Sequence, residues 1–240
     1  MGERKIDVLV VRWYERAGRD DIAARWLDAA REHLPEAMPR RFGDTEPLRG
    51  RLDRDGEEGF LRAYDSADSL LFISGKGPVH HASLSATRPG YFGPTVAHSL
   101  HAELPATDPR VHRFARALLH PSTIYVSASI EGGEILDGDT LYGPPERPGE
   151  PFLAPVGDWL GLPPRPPIWC WFGPAYQRLV RRQVTGEKVA DGLFWSGGPW
   201  VREPLHARLS EPDPNHRAAL RTPRGLRRST LQIIMAGLHR

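Results

Sequence analysis

The stretch KIDVLVVRWY, residues 5–14, organises the fold that we expect for this chain. Apolar side chains occupy both faces of its alternating pattern: Ile6, Val8 and Val10 on one, Leu9 and Val11 on the other. A strand that is apolar on both faces belongs in the middle of a sheet, covered on at least one side. We therefore predict a central strand from Lys5 to Tyr14.

Three later segments have helical patterns. The first follows Asp20, which stands at an N-cap position, and ends before Pro35. The second is predicted over residues 57–68. The third begins at Asp108-Pro109, because an aspartate N-cap followed by proline at the first helical position is a strong helix start.

Strands are predicted at residues 70–74, 79–86 and 123–130, and the turn GKGP joins the first two. The segment 123–130 has the most regular alternation of apolar and polar residues. This order of strands and helices is typical of a split β-α-β layout. The predicted fold class is α+β, with a mixed or antiparallel sheet, helices packed on one face and a loop-rich C-terminal part.

The remainder of the chain is predicted to be less regular. Gly, Pro and acidic residues are frequent in residues 130–168, which we interpret as a Pro/Gly-rich surface loop. We expect a short helix after Gly173-Pro174, a strand over residues 188–196 and a loosely packed basic segment over residues 210–240. The length and composition favour one α+β domain over the whole chain.

Composition narrows the kinds of site that the chain can carry. With 32 basic and 30 acidic residues the formal net charge is +2, which is less basic than a dedicated nucleic-acid binder usually is. Cys170 is the single cysteine, so an intrachain disulfide and a cysteine-rich metal site are excluded. No stretch approaches the ~20 apolar residues that a membrane span needs. We expect a cytoplasmic protein without cofactor, metal or membrane contact.

Four carboxylates lie close together in the sequence after the fourth predicted strand: Glu131, Glu134, Asp137 and Asp139. One interpretation is a solvated turn. The other is an acidic patch that meets a basic partner protein. On the second interpretation these four residues are candidate partner-binding residues.

The stretch WCWFGPAY, residues 169–176, concentrates four aromatic side chains around Cys170. Because Trp171 and Phe172 precede a Gly-Pro helix start, we interpret them as mainly structural. The alternative is an aromatic surface for a partner, with Trp169 and Trp171 as its candidate residues. Cys170 is a poor candidate nucleophile, since large apolar neighbours raise the pKa of a thiol.

Histidines give a weaker indication of a site. His80 and His81 lie on a predicted strand, so their side chains are expected on opposite faces and cannot chelate one metal ion together. His98 and His101 have helical spacing and could share a face, with Glu103 nearby. No HExxH or comparable signature accompanies them, and we interpret them as ordinary surface or hydrogen-bonded histidines.

Short motifs follow one another in the first part of the chain: Trp13-x-x-Arg16, then Ala23-Ala24-Arg25 with Leu34, then Pro39-x-x-Phe42-Gly43. This pattern resembles the immunity protein 52 family of bacterial polymorphic toxin systems, and Trp169–Tyr176 resembles it more weakly. The resemblance implies an α+β protein of similar length that neutralises a cognate toxin.

We therefore expect a non-catalytic immunity protein whose partner is a cognate protein toxin, and we do not expect nucleic acid as a partner. One alternative is a hydrolase-like enzyme whose site is assembled only in the fold. The other is a nucleic-acid accessory protein that contacts phosphates through a basic tail. The arginines of that tail are Arg217, Arg221, Arg224, Arg227 and Arg228.

Overall fold

The computed structural model describes residues 3–16, 21–86, 95–138, 140–143, 167–174, 176, 186–189 and 192–196. Their helices are α1 (Ile22–His33), α2 (Leu52–Ser66) and α3 (Pro109–Ala117), with a short 3-10 helix at Pro35–Ala37. Their strands are β1 (Arg4–Arg16), β2 (Arg41–Gly43), β3 (Gly50–Arg51), β4 (Leu70–Ser74), β5 (Val79–Ser85), β6 (Thr95–Ala102), β7 (Thr123–Asp137), β8 (Thr140–Tyr142), β9 (Trp169–Phe172), β10 (Glu187–Val189) and β11 (Gly192–Ser196).

These strands form one curled sheet in the order β10-β11-β9-β7-β1-β6-β5-β4-β2-β3, and β8 pairs with β7 beside this path. Every pairing among the described strands is antiparallel. Strand β1 lies in the middle, between β6 and β7, as its apolar pattern predicts. The α+β class and the antiparallel sheet are thus confirmed, whereas the split β-α-β layout and the single domain remain interpretations.

The main core lies between the helices and one face of the sheet, which we call the helix face. Trp13 of β1, Trp26 of α1 and Phe114 of α3 meet one another edge to face, with ring centroids 4.9 to 6.0 Å apart. The indole N–H of Trp13 donates to the carbonyl of Ala115 at 3.2 Å, and that of Trp26 to the carbonyl of Ala37 at 3.0 Å. Both polar groups are therefore satisfied inside the core.

A second, smaller cluster lies on the opposite face of the sheet, which we call the inner face. It contains Ile6, Val8 and Val10 of β1 with Leu136 of β7, and Leu141 of β8 packs against them. Strand β8 also approaches β5, although β7, β1 and β6 separate the two strands in the sheet. The sheet therefore curls toward its inner face at this end.

Strand β7 is longer than predicted. It continues beyond the expected end at Ile130 to Asp137, and β8 follows it, so residues 130–142 of the predicted surface loop are mostly strand. The reason is that β1 extends to Arg4 and supplies backbone partners for this part of β7. The remainder of that loop from residue 144 to 166 and the basic segment 210–240 lie outside the described residues.

The aromatic stretch also differs from its expected form. Trp169–Phe172 is strand β9, inserted between β7 and β11, and the helix expected after it falls largely outside the described residues. The strand expected at residues 188–196 is a hairpin of β10 and β11. At Gly173 an added Cβ would overlap the carbonyl oxygen of Thr123, so this close approach to β7 requires glycine.

We predict that Phe172→Ala lowers the free energy of unfolding by about 3–5 kcal/mol, because the ring is fully buried and its removal leaves a cavity. Chemical denaturation of the purified protein measures this change. Ile168→Ala, at a side chain that is 37% exposed next to the same strand, serves as the control and should lose much less. Equal losses for the two variants would contradict the burial of Phe172.

Candidate functional site

A β-bulge in β7 determines where its carboxylates point. Ile6 pairs with Glu134 and Val8 pairs with Glu131, so two steps along β1 correspond to three along β7. Gly133 accommodates the extra residue with a φ of 78°, a conformation that glycine adopts at little cost. Residues three apart in a regular strand point to opposite faces. The bulge instead places Glu131 and Glu134 together on the inner face.

Both of these glutamates are buried, with 9% exposure for Glu131 and 2% for Glu134. Nη2 of Arg12 donates to Oε1 of Glu131 at 2.5 Å, in a partly buried ion pair. The interpretation of this segment as a solvated turn is therefore wrong for both residues, because the bulge turns their side chains away from solvent. Neither carboxylate is displayed at the surface.

The other side of the same strands is exposed and partly apolar. Ile130 is 47% exposed and Tyr142 is 53% exposed, and Ile135, which pairs with Tyr142, is half-buried. These side chains lie on the helix-face side of the sheet, beyond the part that the helices cover. Tyrosine and isoleucine side chains on paired strands form an apolar surface whose backbone is held by hydrogen bonds.

Two exposed carboxylates border this apolar surface. Asp7 alternates with the inward-facing Ile6 and Val8, and Asp137 lies on the same side of β7 as Ile135. Asp139, the fourth carboxylate of the sequence cluster, lies outside the described residues. We call the exposed surface formed by Asp7, Ile130, Ile135, Asp137 and Tyr142 the outer ribbon.

The two candidate tryptophans lie in the main core. Trp169 and Trp171 are each 5% exposed and pair with Ala128 and Val126 of β7. The indole N–H of Trp169 donates to the carbonyl of Ala106 at 3.0 Å. Neither indole is displayed at the surface, which agrees with the structural interpretation of this stretch.

Cys170 is fully buried on the opposite side of the same strand. Burial raises the pKa of its thiol well above the ordinary value, and the hydrogen bond with Tyr125 lowers it only in part. A buried thiol of raised pKa is a poor nucleophile. This agrees with the sequence interpretation of Cys170.

The inner face also carries a polar row that the sequence did not predict. Ser83 and Ser99 lie 2.9 Å apart between their hydroxyl oxygens, and Arg12 is the next cross-strand neighbour of Ser99. The rings of His81 and His101 follow one register step away, with centroids 5.6 Å apart. The sequence did contain a signal for strand β6, the alternation of two sets of side chains. One set is Val96, His98 and Leu100, and the other is Ala97, Ser99 and His101.

The pairing of His98 with His101 on one helical face is wrong. Both residues belong to strand β6, so their side chains point to opposite faces. His98 is buried and its Nδ1 accepts the backbone N–H of Ser85 at 3.0 Å, whereas His101 lies beside His81. Over the described ranges no group of three or more His, Cys, Asp or Glu side chains is placed to hold a metal ion.

A serine, a histidine and a carboxylate meet where β7 begins. Oγ of Ser122 lies 2.7 Å from Nδ1 of His120 and 3.2 Å from a carboxylate oxygen of Glu15. In a hydrolytic triad the acid orients the imidazole, whereas here it contacts the serine. The fully buried Glu15 also accepts from Thr123 at 2.9 Å and Arg25 at 3.2 Å. The cluster therefore ties β1, α1 and β7 together.

His80, whose side chain is 10% exposed, meets a carboxylate just beyond the end of β6. Its Nε2 lies 3.4 Å from Glu103, which also accepts two hydrogen bonds from Arg4 at 2.8 and 2.6 Å. A shallow cleft between the β2–β3 hairpin and α2 contains neither His80 nor His81. Neither His80 nor His81 is therefore placed in this cleft.

Comparison with known proteins gives a likeness of fold. No protein-family model matches the sequence, and no curated protein matches it either. Among solved structures, the chain is similar to the Pseudomonas aeruginosa T6SS protein PA0821, with a TM-score of 0.50 and 12% identity over 90% of this chain and 73% of that one. At this identity the likeness shows a shared fold. The described helices include none that is both long and apolar enough to cross a membrane.

We predict that Arg12 and Glu131 are energetically coupled. Removing either partner alone takes this ion pair away from a partly buried charge, so Arg12→Met and Glu131→Gln should each destabilise the fold by about 1–3 kcal/mol. A double-mutant cycle by urea denaturation should give a coupling of about 0.5–3 kcal/mol. The exposed pair Arg62 and Glu58 on α2 is the control, with an expected coupling below about 0.5 kcal/mol. Equal coupling in the two pairs would contradict this account.

We also predict that His81 contributes to a loss of stability in acid. Burial lowers the pKa of His81 below its ordinary value of 6.5, and the carboxylate of Glu46 offsets part of this effect. The unfolded chain then binds a proton more readily than the folded one, so stability falls as the pH drops from about 6.5 toward the lowered pKa. His81→Gln should flatten this slope in urea denaturation between about pH 7.5 and pH 5.5. An unchanged slope would contradict the prediction.

Proposed function

We propose that this chain is a non-catalytic immunity protein of the cytoplasm that binds and neutralises a cognate bacterial toxin. The observation that carries the proposal is the fold shared with a T6SS protein of Pseudomonas aeruginosa over 90% of the chain. The motifs from Trp13 to Gly43 add the more specific resemblance to the immunity protein 52 family. One line of support is a likeness of fold, and the other is a likeness of short sequence motifs.

The contacts of the described titratable residues support a binding role. Glu15 has hydrogen-bond donors on two neighbouring elements, Glu131 has the guanidinium of Arg12, and Glu103 has Arg4 and His80. These groups stabilise the junctions between strands and helices. The outer ribbon, in contrast, displays apolar and acidic side chains on rigid strands, which suits recognition of another protein.

The contact of Ser122 with His120 favours a second candidate, a hydrolase-like enzyme. Such an enzyme would protect a cell by modifying the toxin or its product instead of by occupying the toxin. Ser122→Ala separates the two functions. If the variant still binds the toxin but no longer protects, the enzyme is favoured, whereas full protection favours binding alone.

We predict that co-expression of this chain rescues cells that produce the toxin encoded by an adjacent gene, and that the two proteins co-purify. The products of both adjacent genes are expressed in the cytoplasm with and without the chain, and survival and co-purification are measured. A chain with Phe172→Ala, which lowers folding stability, is the control for dependence on the native fold. Toxicity that persists with a stably produced chain would contradict the immunity role.

A further inference from the structure

We propose that the outer ribbon is the surface that holds the toxin, and that the toxin meets it with an apolar patch bordered by basic side chains. This inference rests on the proposed function and specifies the residues that perform it. It replaces the expected patch of four neighbouring carboxylates, because two of them point inward. The partner-binding residues are then Ile130, Ile135 and Tyr142, with Asp7 and Asp137 at the border.

The first argument is the clustering of exposed apolar side chains. Among the described residues three large hydrophobic side chains are exposed, Ile130, Tyr142 and Ile168, and all three lie on β7 or beside it. Single exposed apolar residues are normal, whereas neighbouring ones indicate an interaction site. Tyr142 pairs directly with Ile135, and Ile130 lies on the same side of the sheet earlier in β7. Tyrosine is enriched where protein interfaces are strongest.

The second argument is charge. Asp7 and Asp137 are exposed, and neither makes an ion pair with any residue that the structure describes. Lys5, the cross-strand partner of Ile135, contributes one positive charge on the same side, while Arg4 is held by two hydrogen bonds to Glu103. The border of the apolar patch is therefore net acidic. Basic side chains on the partner fit this potential and would be attracted to it from a distance.

The third argument is the contrast with the other strongly charged surface, the exposed side of α2. There three acidic side chains already have partners on this chain: Arg31 contacts Glu57, Arg51 contacts Asp53, and Arg54 contacts Asp55. A partner would have to displace these pairs before it could bind their carboxylates. The outer ribbon requires no such displacement.

The fourth argument is rigidity. Below the outer ribbon, Ile6, Val8, Val10 and Leu136 form the inner-face cluster, and β7 is hydrogen-bonded on both sides by β1 and β8. A surface built on paired strands loses little conformational entropy when it binds. The bulge at Gly133 is essential to this arrangement, because it keeps the glutamates on the buried side.

The test measures binding to the toxin of the adjacent gene with three variants of the chain. Tyr142→Ala should weaken the complex about 10- to 100-fold through faster dissociation. Asp137→Asn should slow association about two- to fivefold at low salt and flatten its salt dependence, with dissociation nearly unchanged. Glu58→Gln, at a side chain that is 90% exposed on α2, is the matched control and should bind within about twofold of the parent.

The outcomes separate the inference from the function on which it rests. If the parent binds and both ribbon variants bind like Glu58→Gln, the outer ribbon is not the binding surface, although the immunity role stands. If the parent does not bind, both are overturned. A thermal melt checks that each variant folds. If Tyr142→Ala proves unstable, Asp137→Lys replaces it, because this substitution is exposed and reverses the charge. It should weaken binding more than Asp137→Asn does.

Discussion

The extra residue at Gly133 in β7 is the constraint on which the rest of the arrangement depends. Strand β7 pairs with β1, β8 and β9, so a change in its register would change the pairing of all three strands. The bulge keeps Glu131 and Glu134 on the inner face and leaves Ile130 and Ile135 on the outside. Without it, a regular alternation would turn one of the two glutamates to the outside and one of the two isoleucines to the inner face.

Features governed by neighbours in the sequence could be predicted. The apolar faces of β1 identified the central strand, and Asp108 caps α3 by accepting the N–H of Arg110 at 2.8 Å. The predicted start of α2 at Glu57 coincides with the end of a kink at Gly56, where φ is 68°. In each case the signal is a local preference of the backbone or of one side chain.

Features governed by distant pairing were not predicted. Residues 95–102 form β6 because β1 and β5 lie on either side of them, and the extension of β7 depends on partners more than a hundred residues away. Of the candidate site, the sequence located the segment but not the direction of its side chains. Glycines at 132 and 133 indicated a turn, whereas the structure uses them for a bulge. One inserted residue reverses every orientation that follows it.

Carboxyl-group footprinting of the folded protein, read by mass spectrometry, tests this account most directly. The account predicts rapid modification of Asp7 and Asp137 and slow modification of Glu131 and Glu134, with all four reacting alike after unfolding in urea. Binding of the toxin should then protect Asp7 and Asp137 and leave the carboxylates of α2 unchanged. Glutamates that react as fast as Asp137 in the folded chain would contradict the bulge and the outer ribbon together.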